Sequence, residues 1–295
     1  MPKHWIRFLV FLLVPILLCA CASRSKKHFS PDAPAQRALA QLDKRIRSMV
    51  AGSSNLALFV ETFSDENAHP FWHILRKATT NPARRVLITG GIHGNEPASV
   101  ETVLTFVRTL GSKPDLYPNV EFHILPLLNP WGWTRDLRFN ADGTDINRDF
   151  ASFSSVEARA IRSLVGQMDF DLVVNHHEDP EATGFYMYQY ARPDQALCRQ
   201  VIEAVRQSGF PVEQEIHMLL LKTEAGLIDA PMWGLWYMRL TRQLSFDNYC
   251  RLEMAKNVFT IETPMHFPMD TRVTVQTSAL HILIQAVCGG HSGDR

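Results

Sequence analysis

The sequence predicts an α/β fold: a single domain whose mixed, mostly parallel sheet carries helices on both faces. Three observations predict it. Short apolar runs of strand length alternate with segments of helical periodicity, the pattern of a sheet covered by helices. No linker rich in Pro, Gly or Ser interrupts residues 36–288. The 295 residues, 46% hydrophobic and 20% charged, can bury a sizeable core. Thirty Lys and Arg balance thirty Asp and Glu, so nothing attracts phosphate backbones in general, and no nucleic-acid partner is expected.

Residues 1–20 stand outside that domain. Lys3 and Arg7 precede an uninterrupted apolar run over 8–18. It is short for a spanning helix, which needs roughly 20 residues, and fits the apolar region of a secretory signal. A retained membrane anchor is the alternative. Leu18-Cys19-Ala20-Cys21 resembles a bacterial lipobox, which makes Cys21 the lipidated mature N-terminus. Ala22, rather than Asp, favours sorting to the outer membrane, on its periplasmic face. Acyl chains would then anchor the protein with no spanning helix. Loss of Lys3 and Arg7 would leave 28 bases against 30 acids. Residues 22–34, small, basic and broken by Pro, read as a tether, so the folded domain is expected over 35–295.

Within the domain, residues 36–50 place Leu39, Leu42, Ile46 and Met49 at helical spacing. Strands are expected over 56–62, 85–89 and 120–125, with a helix over 97–110 after Gly90-Gly91. Residues 129–149 read as a long turn-rich stretch. A helix over 155–168, a strand over 171–175 and an extended segment over 184–190 follow. The remaining elements are a helix over 193–207, a strand over 258–262 and a closing helix over 275–287. Besides Cys19 and Cys21, Cys198, Cys250 and Cys288 form an odd set without metal-binding spacing. They read as core residues, or as one disulfide and a spare.

Reactive residues in such sheets collect just beyond the carboxyl ends of strands. Three expected strand ends carry unusual polar groups: residues 91–96, residues 176–179 and Glu262. His93 and Glu96 are three apart, so a turn entering a helix can bring both onto one cation. A hydrolytic zinc site needs about three protein ligands and an open position. Taken alone, the pair reads more readily as caps for the helix near Pro97. Glu262 sits on an apolar strand, where a carboxylate is costly to bury unless charge or chemistry holds it.

The surrounding residues change that balance. GIHGNEP at 91–97, NPWG at 129–132, GTDINRDF at 143–150, HED at 177–179 and TIETP at 260–264 occur in this order. Together they resemble the zinc carboxypeptidase family, the M14-type metallopeptidases, and above all its short bacterial members, over roughly 85–285. The resemblance implies one zinc ion per chain held by His93, Glu96 and His177. His176 is the alternative third ligand, facing the other side of the strand. It also implies that Asp145 orients the first imidazole. Asn147 and Arg148 would clamp a substrate carboxylate, and Arg138, with Arg135 as competitor, would polarise the scissile carbonyl. Glu262 would be the general base. Asp149 stands where many relatives have Asn, and an acid there could compete for Arg148. Tyr237, 25 residues before Glu262, is the nearest candidate for the family's closing tyrosine, and Tyr249 is the other. The cluster Trp233, Trp236 and Tyr237 reads equally as packing.

The expected function is zinc-dependent hydrolysis of a C-terminal peptide bond in a peptide with a free carboxylate. The envelope address suggests cell-wall (murein) peptides. GIHGNEPA also resembles the aspartoacylase and succinylglutamate desuccinylase branch, so an N-acyl amino acid deacylase is the alternative. A non-catalytic module for peptide termini is the third reading, opposed by the presence of every expected ligand and of Glu262.

Overall fold

The computed structural model describes residues 36–62, 69–80, 84–192, 195–214 and 222–289. The signal, Cys21 and the tether lie outside these residues, as do Pro193 and Asp194 of the helix expected over 193–207. In chain order, α1 (Leu39–Ala51) precedes β1 (Ala57–Thr62), β2 (Pro70–Arg76) and β3 (Arg84–Thr89). Then come α2 (Pro97–Ser112), β4 (Val120–Leu125), α3 (Pro130–Arg135) and a 3-10 turn at Ile146–Arg148. They lead to α4 (Val156–Val165), β5 (Leu172–Asp179), β6 (Tyr186–Tyr190) and α5 (Ala196–Gln207). The chain closes with β7 (Lys222–Glu224), β8 (Leu227–Ala230), α6 (Met232–Leu240), α7 (Phe246–Glu253), β9 (Val258–Pro264) and α8 (Met269–Cys288).

These strands form one sheet in the order β1-β2-β4-β3-β5-β9-β6-β8-β7. Strands β1, β3, β4, β5, β7 and β9 run one way, and β2, β6 and β8 run against them. Parallel pairing occupies the centre, β4-β3-β5-β9, as the alternation of strands and helices predicts. Alternate residues of the central strands enter two separate cores. Val86, Ile88, Leu172 and Val174 pack against α1, α2, α5 and α8, whereas Leu87 and Val173 pack against α4 and α7. Parity along a strand therefore decides which helices a residue near its end can reach.

β5 runs four residues past Asn175, the expected end, and β9 runs two past Glu262. Polarity hides the continuation in the sequence, yet each polar residue there has a partner. Asn175 bonds Thr89, His176 bonds Gln276, and Glu178 bonds Arg272. Strand β2, with β7, β8, α6 and α7, adds to the expected elements. The buried Arg76 at the end of β2 donates to four backbone carbonyls, those of Pro114, Leu116, Tyr117 and Val120. Cys198, Cys250 and Cys288 are buried and no disulfide joins them, so the disulfide alternative is not formed.

Two motif glycines are explained by packing. The turn after β3 and the start of α3 touch backbone to backbone. A Cβ on Gly94 would lie 2.0 Å from the carbonyl carbon of Gly132, and one on Gly132 would lie 2.6 Å from the Phe139 carbonyl oxygen. Arg37 fastens the same junction by donating to the carbonyls of Gly94 at 3.1 Å and Trp133 at 2.8 Å. Gly94→Ala is expected to force the two turns apart. Denaturant unfolding should show a loss of roughly 1–3 kcal/mol, the usual range for overpacking. An unchanged midpoint would contradict this contact.

Candidate metal centre and active site

The turn between β3 and α2 supplies two of the expected ligands. Glu96 caps α2, Pro97 fixes its first turn, and His93 lies three residues back, so both side chains turn into one space. β5 supplies His177 from beside the turn. His93 Nδ1 is 2.5 Å from Glu96 Oε1, and His177 Nδ1 is 2.9 Å from Glu96 Oε2. One donor atom from each lies within 4.8 Å of the others, and all three residues are buried. Two imidazole nitrogens and a carboxylate oxygen converging in this way are a donor set that fits zinc. His176 does not join them. It faces the other core, where Nδ1 meets Gln276 Oε1 on α8 at 3.0 Å, and burial pushes its imidazole down to about 3.

The charges around the cluster are arranged to keep Glu96 ionised. Burial opposes its charge, but His93 and His177 outweigh burial and hold the carboxyl below the ordinary range. Asp145 Oδ1 lies 3.3 Å from His93 Nε2, and its other oxygen accepts from Arg138 Nε at 3.1 Å and Nη2 at 2.9 Å. Despite burial, Arg138 and His93 hold the Asp145 carboxyl well down. Asp145 therefore faces the imidazole nitrogen that points away from the cluster. Asp145→Asn should weaken zinc binding by roughly 10- to 100-fold in competition with a chelator, the usual effect of losing such a partner. Unchanged affinity would remove Asp145 from that role.

Glu262 stands opposite His177 in the β5–β9 register, so the two side chains share a face of the sheet. Burial, then the nearby Glu96 and Asp179 charges, raise its carboxyl well above the ordinary range. Arg138 reaches the cluster, with Nη1 3.2 Å from His93 Nδ1 and 3.9 Å from Glu96 Oε1. Arg135 instead stacks over Trp131 at 4.4 Å and donates to Thr134.

Asn147 Oδ1 is tied to the Phe246 N–H at 2.9 Å. The exposed Arg148 donates to the Asn147 carbonyl at 2.7 Å and makes no ion pair among the described residues. Asp149 does not compete for it. Its carboxylate is taken by the N–H and hydroxyl groups of Ser154 and Ser155, at 2.6 to 3.0 Å.

Neither candidate for the closing tyrosine joins this network. Tyr237 lies on α6 beside the exposed Trp233 and Trp236, and its buried hydroxyl has no hydrogen-bond partner among the described residues. Tyr249 packs against Phe150 and Phe153. The tyrosines that face the site come from β6. Tyr186 stands opposite Glu262 in the register and donates to Asp179 at 2.7 Å. Tyr188 is raised far above its usual range by burial and by Glu262, with Arg148 opposing, so its hydroxyl keeps its proton. Sequence reading missed these residues and Asn175, although alternation in YMYQY and in NHH marks them as lying on one face.

The sheet has the fold of solved metallocarboxypeptidases, and the cluster at its carboxyl edge could hold one metal ion. The chain belongs to the succinylglutamate desuccinylase/aspartoacylase catalytic-domain family, whose sequence model matches residues 82–281, and it is similar to zinc carboxypeptidases in sequence and fold. Carboxypeptidase SOL1 of Arabidopsis thaliana is 29% identical over 188 residues, covering 54% of this chain and 38% of that protein. Murein peptide amidase A of Escherichia coli is 37% identical over 75 residues, covering 25% of this chain and 29% of that one. Probable carboxypeptidase 2 of Trichophyton verrucosum is 26% identical over 144 residues, covering 45% and 28%. The matches thus span well under half the length of these curated relatives. Carboxypeptidase A of Helicoverpa armigera has the same fold, with TM-score 0.63 and 16% identity over 95% of this chain and 80% of that one. So has a metallo-carboxypeptidase of Burkholderia cenocepacia, with TM-score 0.66 and 15% identity over 85% and 70%.

Proposed function

We propose that the protein is a zinc metallocarboxypeptidase that removes a C-terminal residue from a short peptide. The observation that carries this reading is the Asn147–Arg148 pair. The Arg148 guanidinium is unpaired among the described residues, and the acid next to it is engaged elsewhere, so it is available to a carboxylate. Asn147 uses its oxygen internally, which leaves its amide N–H groups for the same substrate group. Zinc bound at His93, Glu96 and His177 would supply a Lewis acid and acidify water. The chain's own residues do the rest. Arg138 offers positive charge to the carbonyl oxygen as it becomes an oxyanion. Glu262 takes a proton from the attacking water and returns it to the leaving amine.

The finer substrate assignment is murein peptides. It is supported by the apolar run and lipobox-like residues before Cys21, which point to a lipid-anchored protein of the bacterial envelope, and by the likeness to a murein peptide amidase. A second reading, N-acyl amino acid deacylation, is favoured by the description of the family model that matches residues 82–281.

Mass spectrometry of muropeptides, ordinary peptides and N-acyl amino acids incubated with zinc-loaded protein tests all three. Loss of one C-terminal residue, absent with Glu262→Gln, is the expected result, and the mass lost names the preference. Cleavage of N-acyl amino acids alone would overturn the peptidase reading.

A further inference from the structure

A histidine that gives one ring nitrogen to a metal must carry a proton on the other, and that N–H needs an acceptor. For His93 the acceptor is Asp145. His177 also turns Nδ1 towards Glu96, so its Nε2 has the same need. The group that meets it is no acid but the amide of Asn175, with Nδ2 2.9 Å away. Asn175 lies two residues earlier in β5, on the same face of the sheet, and is fully buried. Thr89 stands beside it across the β3–β5 ladder, its hydroxyl 2.8 Å from Asn175 Oδ1. Asp247 Oδ2, from the first turn of α7, is 3.2 Å from Nδ2.

An amide presents a donor or an acceptor according to which end is turned forward. An Nε2–H facing an NH₂ group has no acceptor. After a half-turn of the amide, Oδ1 takes the place of Nδ2 and accepts the His177 proton, while Nδ2 donates to Thr89 Oγ1. Oδ1 then also faces Asp247, which can donate if its carboxyl is protonated. Burial raises that carboxyl above its ordinary range, with His177, Asn175 and Thr260 pulling the other way. The half-turn therefore gives the His177 proton an acceptor from protein atoms already in place.

We propose that Asn175 is the positioning residue for His177: its amide oxygen accepts the Nε2 proton, leaves the Nδ1 lone pair free for the metal, and is held in that orientation by Thr89 and Asp247. The two imidazoles are thereby backed differently, His93 by a charged acid and His177 by a neutral amide. The assignment rests on zinc binding at His93, Glu96 and His177.

Zinc affinity, measured by competition with a chromophoric chelator on the full chain, tests it without reference to turnover. Asn175→Leu is expected to bind zinc roughly 10- to 100-fold more weakly, whereas Asn175→Asp, which keeps an acceptor of the same shape, should stay within about threefold of wild type. Long-range proton–nitrogen NMR of the zinc-loaded wild type should place the His177 proton on Nε2. Wild-type protein that takes up no zinc would overturn the metal reading itself. With zinc bound to the wild type, equal affinity in Asn175→Leu, or equal losses in both variants, would overturn the role of Asn175 alone. Should Asn175→Leu fail to fold, a folded Asn175→Asp protein with more than about tenfold weaker binding would do the same.

Discussion

Glu262→Gln is expected to lower kcat/KM on a cleavable peptide by roughly two to four orders of magnitude while the protein retains one zinc per chain. The prediction follows from where Glu262 sits. It shares a sheet face with His177 but supplies no atom to the cluster of three ligands. The amide of Gln has the same shape, so neither ligand geometry nor packing should change, and only the capacity to take a proton is lost. The carboxyl is raised by burial and by its acidic neighbours Glu96 and Asp179. A general base works only when ionised, so activity must fall as pH drops through its pKa. A raised pKa moves that acidic limb of the kcat/KM profile towards neutrality. The bound cation acts in the opposite direction and brings the limb back down. Zinc loss in the variant would make Glu262 a ligand rather than a base. Full activity would leave the water without an identified proton acceptor.

How much of this site could be read in the sequence depended on how local its geometry is. His93, Glu96 and Pro97 form one turn, so their spacing carries their geometry. The choice between His176 and His177 needed strand parity, which settles it once β5 is known to continue past Asn175. The continuation was hidden because strands are read from apolar runs, whereas the ladder itself is backbone. Asn175 looked like the polar end of an apolar run for the same reason. The tyrosines are a different case: Tyr237 is placed by distance along the chain, whereas sheet register sets Tyr186 opposite Glu262. Strand β2, where FWHIL is buried on both faces and shows no apolar–polar alternation, gave no period to read. Its antiparallel pairing with β1 and β4 is a tertiary fact.

Arg272→Leu should destabilise the zinc-loaded protein by about 3–5 kcal/mol in urea denaturation, the usual cost of stripping one partner from a buried ion pair. Arg272 reaches from α8 to Glu178, whose side chain is 0% exposed and whose second oxygen accepts from the Ala98 N–H at 2.6 Å. Burial raises the Glu178 carboxyl to about 7, with Arg272 pulling the other way. The folded protein thus holds that proton more tightly than the unfolded chain, where the carboxyl keeps its ordinary value of 4.5. The sign follows from linkage: stability from this group is fully present below about 4.5 and is lost as pH rises through about 7. Without Arg272 the carboxyl rises further, so the penalty of Arg272→Leu should be larger at pH 8 than at pH 5. Glu178→Gln combined with Arg272→Leu should recover most of the loss, because no charge is then left unpaired. Equal penalties at the two pH values would mean that Arg272 contributes packing rather than charge. The site would register the difference, since the Glu178 N–H also lies 3.3 Å from Glu96 Oε2 and a displaced Glu178 pulls directly on a metal ligand.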